Sequence, residues 1–152
     1  PLQKKEIPLY VKSYNNPNVI GTCVSKSKDL YPKIPCYILK ENQILMSISS
    51  LDFSFTINDK TKSILDLLSN YKIKINLTQN SAISLTICVD DDYNNIDKLT
   101  NELKSNFKIH VEKKLKLYTV RNLEKKSIDQ FKKGKNIIIE QLYNNTSQFI
   151  CR

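Results

Sequence analysis

The sequence predicts an α+β fold with antiparallel sheets, in the order of elements found in ferredoxin-like domains. Apolar residues recur at three- and four-residue spacing over residues 64–71, which is typical of an amphipathic helix. They then alternate with polar residues over 73–77 and 83–89, which is typical of half-buried strands. The polar turn Gln79-Asn80-Ser81 separates these strands. Helix, strand, turn and strand form the centre of a βαββαβ unit.

The remaining elements of this first unit lie on either side of that centre. Residues 43–49 predict its first strand, residues 50–58 a loop, and a helix begins near Asp59, where a carboxylate favours the helix dipole. Helical spacing predicts a second helix over 94–105, and residues 108–113 alternate as the fourth strand. Ahead of the second helix, Asp90-Asp91-Asp92 is interpreted as a solvated turn and helix start in preference to a metal site.

The chain then repeats the same order of elements. Apolar and polar residues alternate over 115–120, as in a strand, and residues 127–133 predict a short basic helix that ends at Gly134. Residues 137–140 and 148–151 predict two more strands, separated by a turn at residues 144–147. This second copy lacks one strand. The unassigned strand candidate is residues 35–39, which two prolines place at an edge. We therefore expect two interleaved units.

The composition limits the classes of function. The net charge is +9, but the lysines are spread along the whole chain among asparagines and isoleucines. RNA-binding sheets of this topology carry stacking aromatics on their central strands, whereas residues 74–78 and 82–89 contain none. We expect no nucleic-acid partner. The sequence has no run of about 18 apolar residues, so we expect no membrane span.

The cysteines and glycines argue against a metal, a cofactor or catalysis in this stretch. The four cysteines have no close spacing and His110 is the one histidine, so a disulfide or zinc site is disfavoured and a reducing cytoplasm is indicated. Cys88 and Cys151 fall in apolar strands and are expected to be buried. With only Gly21 and Gly134 there is no glycine-rich phosphate cradle, and we expect no catalytic residue.

The beginning of the chain resembles the end of the catalytic domain of bacterial aspartate kinases. That family's last kinase strand reads Ile-Pro-Val-x-Val-x-Ser, followed by Asn-Pro and Gly-Thr. The matching residues are Ile7, Pro8, Leu9, Val11, Ser13, Asn16, Pro17, Gly21 and Thr22. Residues 71–90 resemble the family's Tyr-Gly-Ile-Ser-Val-Asp…Thr-Ser-Glu-Val-Ser pattern, and residues 117–152 its second regulatory repeat. The chain also starts at Pro1, which we interpret as a piece cut from a longer protein.

The resemblance implies a tandem ACT regulatory region. Residues 1–30 would end the kinase domain and form a linker, residues 43–113 the first ACT domain, and residues 31–42 with 114–152 an incomplete second one. Such regions pair into homodimers and bind lysine or threonine. The parent enzyme would phosphorylate L-aspartate with MgATP, on the route to lysine, threonine and methionine, in the cytoplasm. The alternatives are a free-standing ACT amino-acid-binding module and, less favoured, a basic RNA-binding ferredoxin-like domain.

The resemblance also places an effector site. By position its residues are Ser50, Leu51, Asp52, Phe53, Lys74, Ile75, Asn76, Asn80, Ser81 and Ala82. The sequence departs from the family here, because Asn76 replaces an Asp, Ala82 replaces a Glu, and Asp59-Lys60-Thr61 stands at a Gly-Phe-Leu helix start. A desolvated lysine ammonium needs an anionic partner, and Lys74 would repel it. We therefore predict weak or absent feedback by lysine.

Overall fold

The first residues of the chain form a small unit of their own. The computed structural model describes residues 1–26, 33–51, 57–122 and 124–152, and Pro1–Ile34 is a compact unit distinct from Pro35–Arg152. A 3-10 turn at Gln3–Lys5 precedes strands β1 (Leu9–Val11) and β2 (Thr22–Val24), which pair antiparallel. Gly21 is required between them, because a Cβ there would lie 2.1 Å from the carbonyl oxygen of Val11.

The second unit is built on a single antiparallel sheet. Its elements are β3 (Cys36–Ser50), α1 (Ile57–Asn70), β4 (Lys74–Asn80), β5 (Ser84–Asp90), α2 (Ile96–Leu103), β6 (Phe107–Arg121), α3 (Lys125–Lys132), β7 (Ile137–Tyr143) and β8 (Thr146–Cys151). The six strands follow the order β4-β5-β3-β6-β8-β7. The predicted α+β class and ferredoxin-like arrangement are confirmed. Gly134, with φ of 80°, follows the end of α3 as expected.

Two strands are longer than the sequence predicts. Residues 35–39 and 43–49 were expected as separate strands, as were 108–113 and 115–120, but each pair forms one continuous strand, β3 or β6. The prediction of four short strands is wrong because the polar residues between them form bends, not ends. Asn42 and Lys114 have φ angles of 54° and 62°, and the pairing of β3 with β6 shifts register between Lys40 and Leu45.

Both long strands serve both repeats. The first part of β3, from Cys36 to Lys40, pairs with the last part of β6, from Leu117 to Arg121. The later part of β3 pairs with the first part of β6 and, from Ile44 onward, with β5. A strand from ahead of the first repeat therefore completes the second repeat, as expected. Among the described strands, residues 36–40 have a neighbour on one side only, in agreement with their predicted edge position.

The buried side chains form three clusters. One lies between the first half of the sheet and α1 with α2, and includes Met46, Ile48 and Leu99. Another lies under α3, where Phe149 packs with Ile128. The third joins the faces of the two halves that no helix covers, with members Leu45, Leu77, Cys88, Leu115, Leu117 and Ile150. The sheet is thus curled, so that its helix-free faces pack against each other.

A hydrogen bond links the two ends of the curled sheet. Nε2 of Gln141, on β7, donates to the backbone oxygen of Thr78, on β4, over 2.8 Å. Cys88 and Cys151 are buried in this unit, as predicted. None of the described helices is long and apolar enough to cross a membrane.

Candidate functional site

The predicted effector residues fall into two groups at opposite ends of β4. At its start lie Lys74, Ile75 and Asn76, and at its other end lie Ser50, Leu51, Asn80, Ser81 and Ala82. Asp52 and Phe53 are outside the described residues. At about 3.3 Å per residue, the two ends of β4 are about 20 Å apart. The structure does not bring the two groups together within one chain.

The turn from β4 to β5 satisfies its own polar groups. Oγ of Ser81 lies 3.1 Å from the backbone oxygen of Ser84 and 2.8 Å from its Oγ, and it accepts a hydrogen bond from the Ser84 amide over 3.0 Å. Ala82 is exposed beside it. Because this turn is held by its own hydrogen bonds, its shape does not depend on a ligand.

A polar network surrounds Asn76 at the other end. Its Oδ1 accepts a hydrogen bond from Nζ of Lys40 over 2.7 Å, and its Nδ2 donates to Oε1 of Gln43 over 2.7 Å. Lys40 also contacts Oδ2 of Asp90 at 2.8 Å, and Nε2 of Gln43 donates to Oδ1 of Asp90 at 2.5 Å. Gln43 is 1% exposed. The side chain of Asn76 is therefore already engaged on both sides by residues of its own chain.

The network fixes the charge of Asp90. Burial raises the pKa of this carboxyl, but hydrogen bonds from Lys40, Gln43 and Asn76 outweigh it and lower the pKa to about 2. The Asp90 side chain is 20% exposed. Asp90 is therefore an ionised, largely desolvated carboxylate that needs the Lys40 ammonium beside it.

The thiol of Cys88 borders this network on its apolar side. Its Sγ lies 3.4 Å from Oε1 of Gln43. Burial, followed by the nearby Asp90 carboxylate, raises the pKa of Cys88 to about 11. The thiol stays protonated at neutral pH, so it serves as a weak hydrogen-bond donor and not as a nucleophile.

The three consecutive aspartates each have a structural partner. Asp90 belongs to the network, and Asp91 accepts hydrogen bonds from the amides of Asn95 and Ile96, at 2.7 and 2.9 Å, ahead of α2. Asp92 lies 3.0 Å from Nζ of Lys74, and this hydrogen bond, followed by the charge of the carboxylate, raises the pKa of the lysine. The predicted turn and helix start is confirmed. Lys74 is also paired, which weakens the repulsion that we expected it to exert on a cationic ligand.

Sequence reasoning did not find Lys40 or Gln43. Lys40 lies between the two predicted strands, where a lysine is usually solvated, and Gln43 opens the predicted strand of residues 43–49. A polar residue at the first position of an otherwise apolar run was the one available signal for Gln43. Neither position indicates its partner, because Asp90 is distant in sequence.

The fold is shared with solved aspartate kinases. The chain aligns with Escherichia coli aspartokinase III in complex with aspartate and ADP, in the R-state, with a TM-score of 0.80 and 20% identity over 99% of this chain and 37% of that one. For the T-state complex of the same enzyme with lysine and aspartate, the TM-score is 0.71 at 21% identity, over 99% and 36% of the two chains.

A third structure matches over most of its own length. It is a putative C-terminal regulatory domain of aspartate kinase from Porphyromonas gingivalis W83, with a TM-score of 0.67 and 12% identity over 78% of this chain and 86% of that one. The present chain thus spans a little over a third of aspartokinase III and most of an isolated regulatory domain. No protein-family model and no curated protein matches the sequence.

Proposed function

We propose that this chain is the regulatory, amino-acid-sensing and dimerising region of an aspartate kinase, with two interleaved ACT domains. The pairing of residues 36–40 with residues 117–121 carries the proposal, because a strand from ahead of the first repeat completes the second. In this arrangement residues 43–113 are the first ACT domain, and residues 31–42 with 114–152 the second. Residues 1–30 then correspond to the end of the kinase domain and a linker.

The parent enzyme of this proposal phosphorylates L-aspartate with MgATP in the cytoplasm, ahead of lysine, threonine and methionine formation. The residues described here supply binding surfaces and not phosphoryl transfer, which needs a phosphate cradle with a lysine and a metal-holding carboxylate. The test is to assay the full-length gene product for ATP-dependent phosphorylation of aspartate, with and without residues 35–152. We expect activity in both forms and a response to amino acids only in the first. A full-length product without aspartate kinase activity would overturn the proposal.

The dimer of this proposal forms through the first ACT domain. β4 is the first strand in the order of the sheet, and its Ile75 is 37% exposed. An edge strand with exposed apolar residues pairs readily with a second copy. We expect an interface of about 1,600 Å² in total. In sedimentation at tens of micromolar the chain should be a dimer.

A matched pair of variants locates the dimer interface. Ile75→Lys places a charge on β4, whereas Leu142→Lys places one on β7, the strand at the other end of the sheet, where Leu142 is 58% exposed. We expect Ile75→Lys to shift the chain toward the monomer and Leu142→Lys to leave the dimer unchanged. A monomeric wild-type chain would contradict the proposed pairing.

The effector of this proposal is a small amino acid, and the network around Asn76 favours one with a neutral side chain. An incoming lysine would need the oxygens of Asn76 and Asp90, but the Lys40 ammonium already occupies both, at 2.7 and 2.8 Å. Threonine, with a hydroxyl group in place of a second ammonium, does not compete with Lys40. Backbone groups at strand ends can bind the α-amino and α-carboxylate groups of either amino acid.

A further inference from the structure

A cavity of about 430 Å³ opens on the face of the second repeat that α3 does not cover. Its lining residues are Ile38, Lys40, Asn76, Leu117, Thr119, Arg121, Thr146 and Gln148. They come from three neighbouring strands: residue 38 pairs with 119 and residue 40 with 117, while 121 pairs with 146 and 119 with 148. The cavity is therefore built on the sheet itself, with one side chain added from β4.

The charge of this cavity is positive. Lys40 and Arg121 are its charged residues, and none of the described residues that line it is acidic. The charge of Lys40 is balanced by Asp90. The guanidinium of Arg121 makes no hydrogen bond or ion pair with any described residue, although its strand is paired on both sides. Arg121 therefore presents a cationic fork of donors that has no partner among the described residues.

The other lining residues complement an anion with a carbon body. Leu117 is 3% exposed and forms an apolar floor, and Ile38, at 46% exposed, forms a wall. Nε2 of Gln148 donates to Oγ1 of Thr119 over 3.1 Å, so the hydroxyl proton of Thr119 is left to donate elsewhere. Thr146, directly across from Arg121, adds a second hydroxyl. The cationic fork, the hydroxyl donors and the apolar floor thus lie along one face of the sheet.

We propose that this cavity binds a small organic anion whose oxyanion group, a carboxylate or a phosphate, pairs with Arg121. Guanidinium groups bind both kinds of oxyanion through two parallel hydrogen bonds. The hydroxyl groups of Thr119 and Thr146 provide further donors, and the carbon body lies on Leu117 and Ile38. This site is distinct from the proposed effector residues except at Asn76, and it does not depend on the proposed function.

The test titrates the 152-residue chain with two probes, glutarate for a carboxylate and glycerol phosphate for a phosphate, followed by calorimetry and by amide chemical shifts. We expect at least one probe to bind with a Kd below about 5 mM and to shift the amides of residues 119, 121 and 146. If one probe alone binds, its oxyanion group is the one that the cavity prefers. If both bind, the cavity accepts carboxylates and phosphates alike. Absence of saturable binding for both probes would overturn the proposal.

Variants separate this site from general charge attraction. Arg121→Gln should weaken binding about tenfold or more, and Arg121→Lys, which keeps the charge but loses the fork, should weaken it less. The control is Arg152→Gln, because Arg152 is an exposed arginine that pairs with Glu112 outside the cavity. It removes the same charge and should leave affinity unchanged. Equal weakening by Arg121→Gln and Arg152→Gln would show that no specific site exists. Thr119→Val, which replaces the hydroxyl with a methyl group at unchanged net charge, is a second variant and should also weaken binding.

Discussion

The ammonium of Lys40 lies 2.8 Å from the carboxylate of Asp90, and this ion pair joins the two repeats. Lys40 belongs to the part of β3 that completes the second repeat, whereas Asp90 ends β5 of the first. The pair is 45% and 20% exposed at its two side chains, so it is partly shielded from solvent. Lys40 also donates to Asn76, and Asp90 accepts from Gln43, so the pair is part of a network and not an isolated surface pair.

Replacement of Lys40 should destabilise the chain. Lys40→Met keeps the length of the side chain but leaves Asp90 without its cation, which we expect to cost about 1–2 kcal/mol in the free energy of unfolding. The control is Lys116→Met, because the Lys116–Glu41 pair spans 3.7 Å between exposed side chains and should change stability by less than about 0.5 kcal/mol. Urea denaturation measures both. Equal losses of stability in the two variants would mean that the network around Lys40 contributes no more than an exposed surface ion pair.

Acid should remove the contribution of Asp90. Its pKa in the folded chain is about 2, below the ordinary value of 3.8, so the folded state favours the ionised form. The resulting stability, roughly 2 kcal/mol, is fully present above about pH 5 and is lost as the pH falls from about 4 to 2. Urea denaturation across this range should show a smaller loss for Asp90→Asn than for the wild-type chain. An identical pH dependence of the two proteins would contradict the assignment.

Lysine should bind weakly or not at all. Asn76 and Ala82 stand where the aspartate kinase pattern that the sequence resembles has an Asp and a Glu. The loss of an anionic partner for a desolvated ammonium costs on the order of 2–5 kcal/mol, or about one and a half to four decades in Kd. Calorimetry with lysine and with threonine measures this. Micromolar lysine binding would show the prediction wrong and would direct attention to Asp52 or Asp59. Lys40→Met, which frees the Asn76 and Asp90 oxygens, should strengthen lysine binding if competition by Lys40 contributes.

Neither repeat should fold without the other. A chain that ends at residue 113 loses residues 117–121, the described strand partner of residues 36–40, and exposes Leu45, Leu77 and Cys88, so it should aggregate. A chain that begins at residue 115 keeps three short strand segments and one helix, too little to bury a core, and should be unfolded. Sharp, dispersed amide spectra from both pieces would contradict the shared sheet.

The order of elements could be predicted from the sequence because each element carries its own periodicity. The alternation at residues 73–77 indicates β4 without reference to the rest of the chain. The continuity of β3 and β6 could not be predicted in the same way. A polar residue such as Asn42 or Lys114 is compatible both with the end of a strand and with a bend inside a continuous strand. Only the pairing of β3 with β6 on both sides of these bends decides between the two.

The site was predictable only in part. Asn76 was identified by position, but its partners Lys40 and Gln43 were not, because their contact with Asp90 depends on the pairing of β3 with β5, in which Ile44 lies opposite Val89. Side-chain partners set by the pairing of distant strands leave no periodic trace in the sequence. The guanidinium of Arg121, which has no partner in the described part of the chain, was missed for a related reason, since an arginine at the end of an alternating strand looks like any other solvated cation.

The shared strands also set the order in which the chain can fold as it is synthesised. Residue 36 pairs with residue 121, and residue 50 with residue 107, so the two central strands of the sheet meet only after more than fifty intervening residues have been made. Until then β3 has only β5 as a neighbour on the growing chain, and its residues 36–40 have none among the described strands. Contacts so distant in sequence slow folding and leave strand edges open meanwhile. The nascent chain is thus expected to need protection from aggregation until β6 emerges from the ribosome.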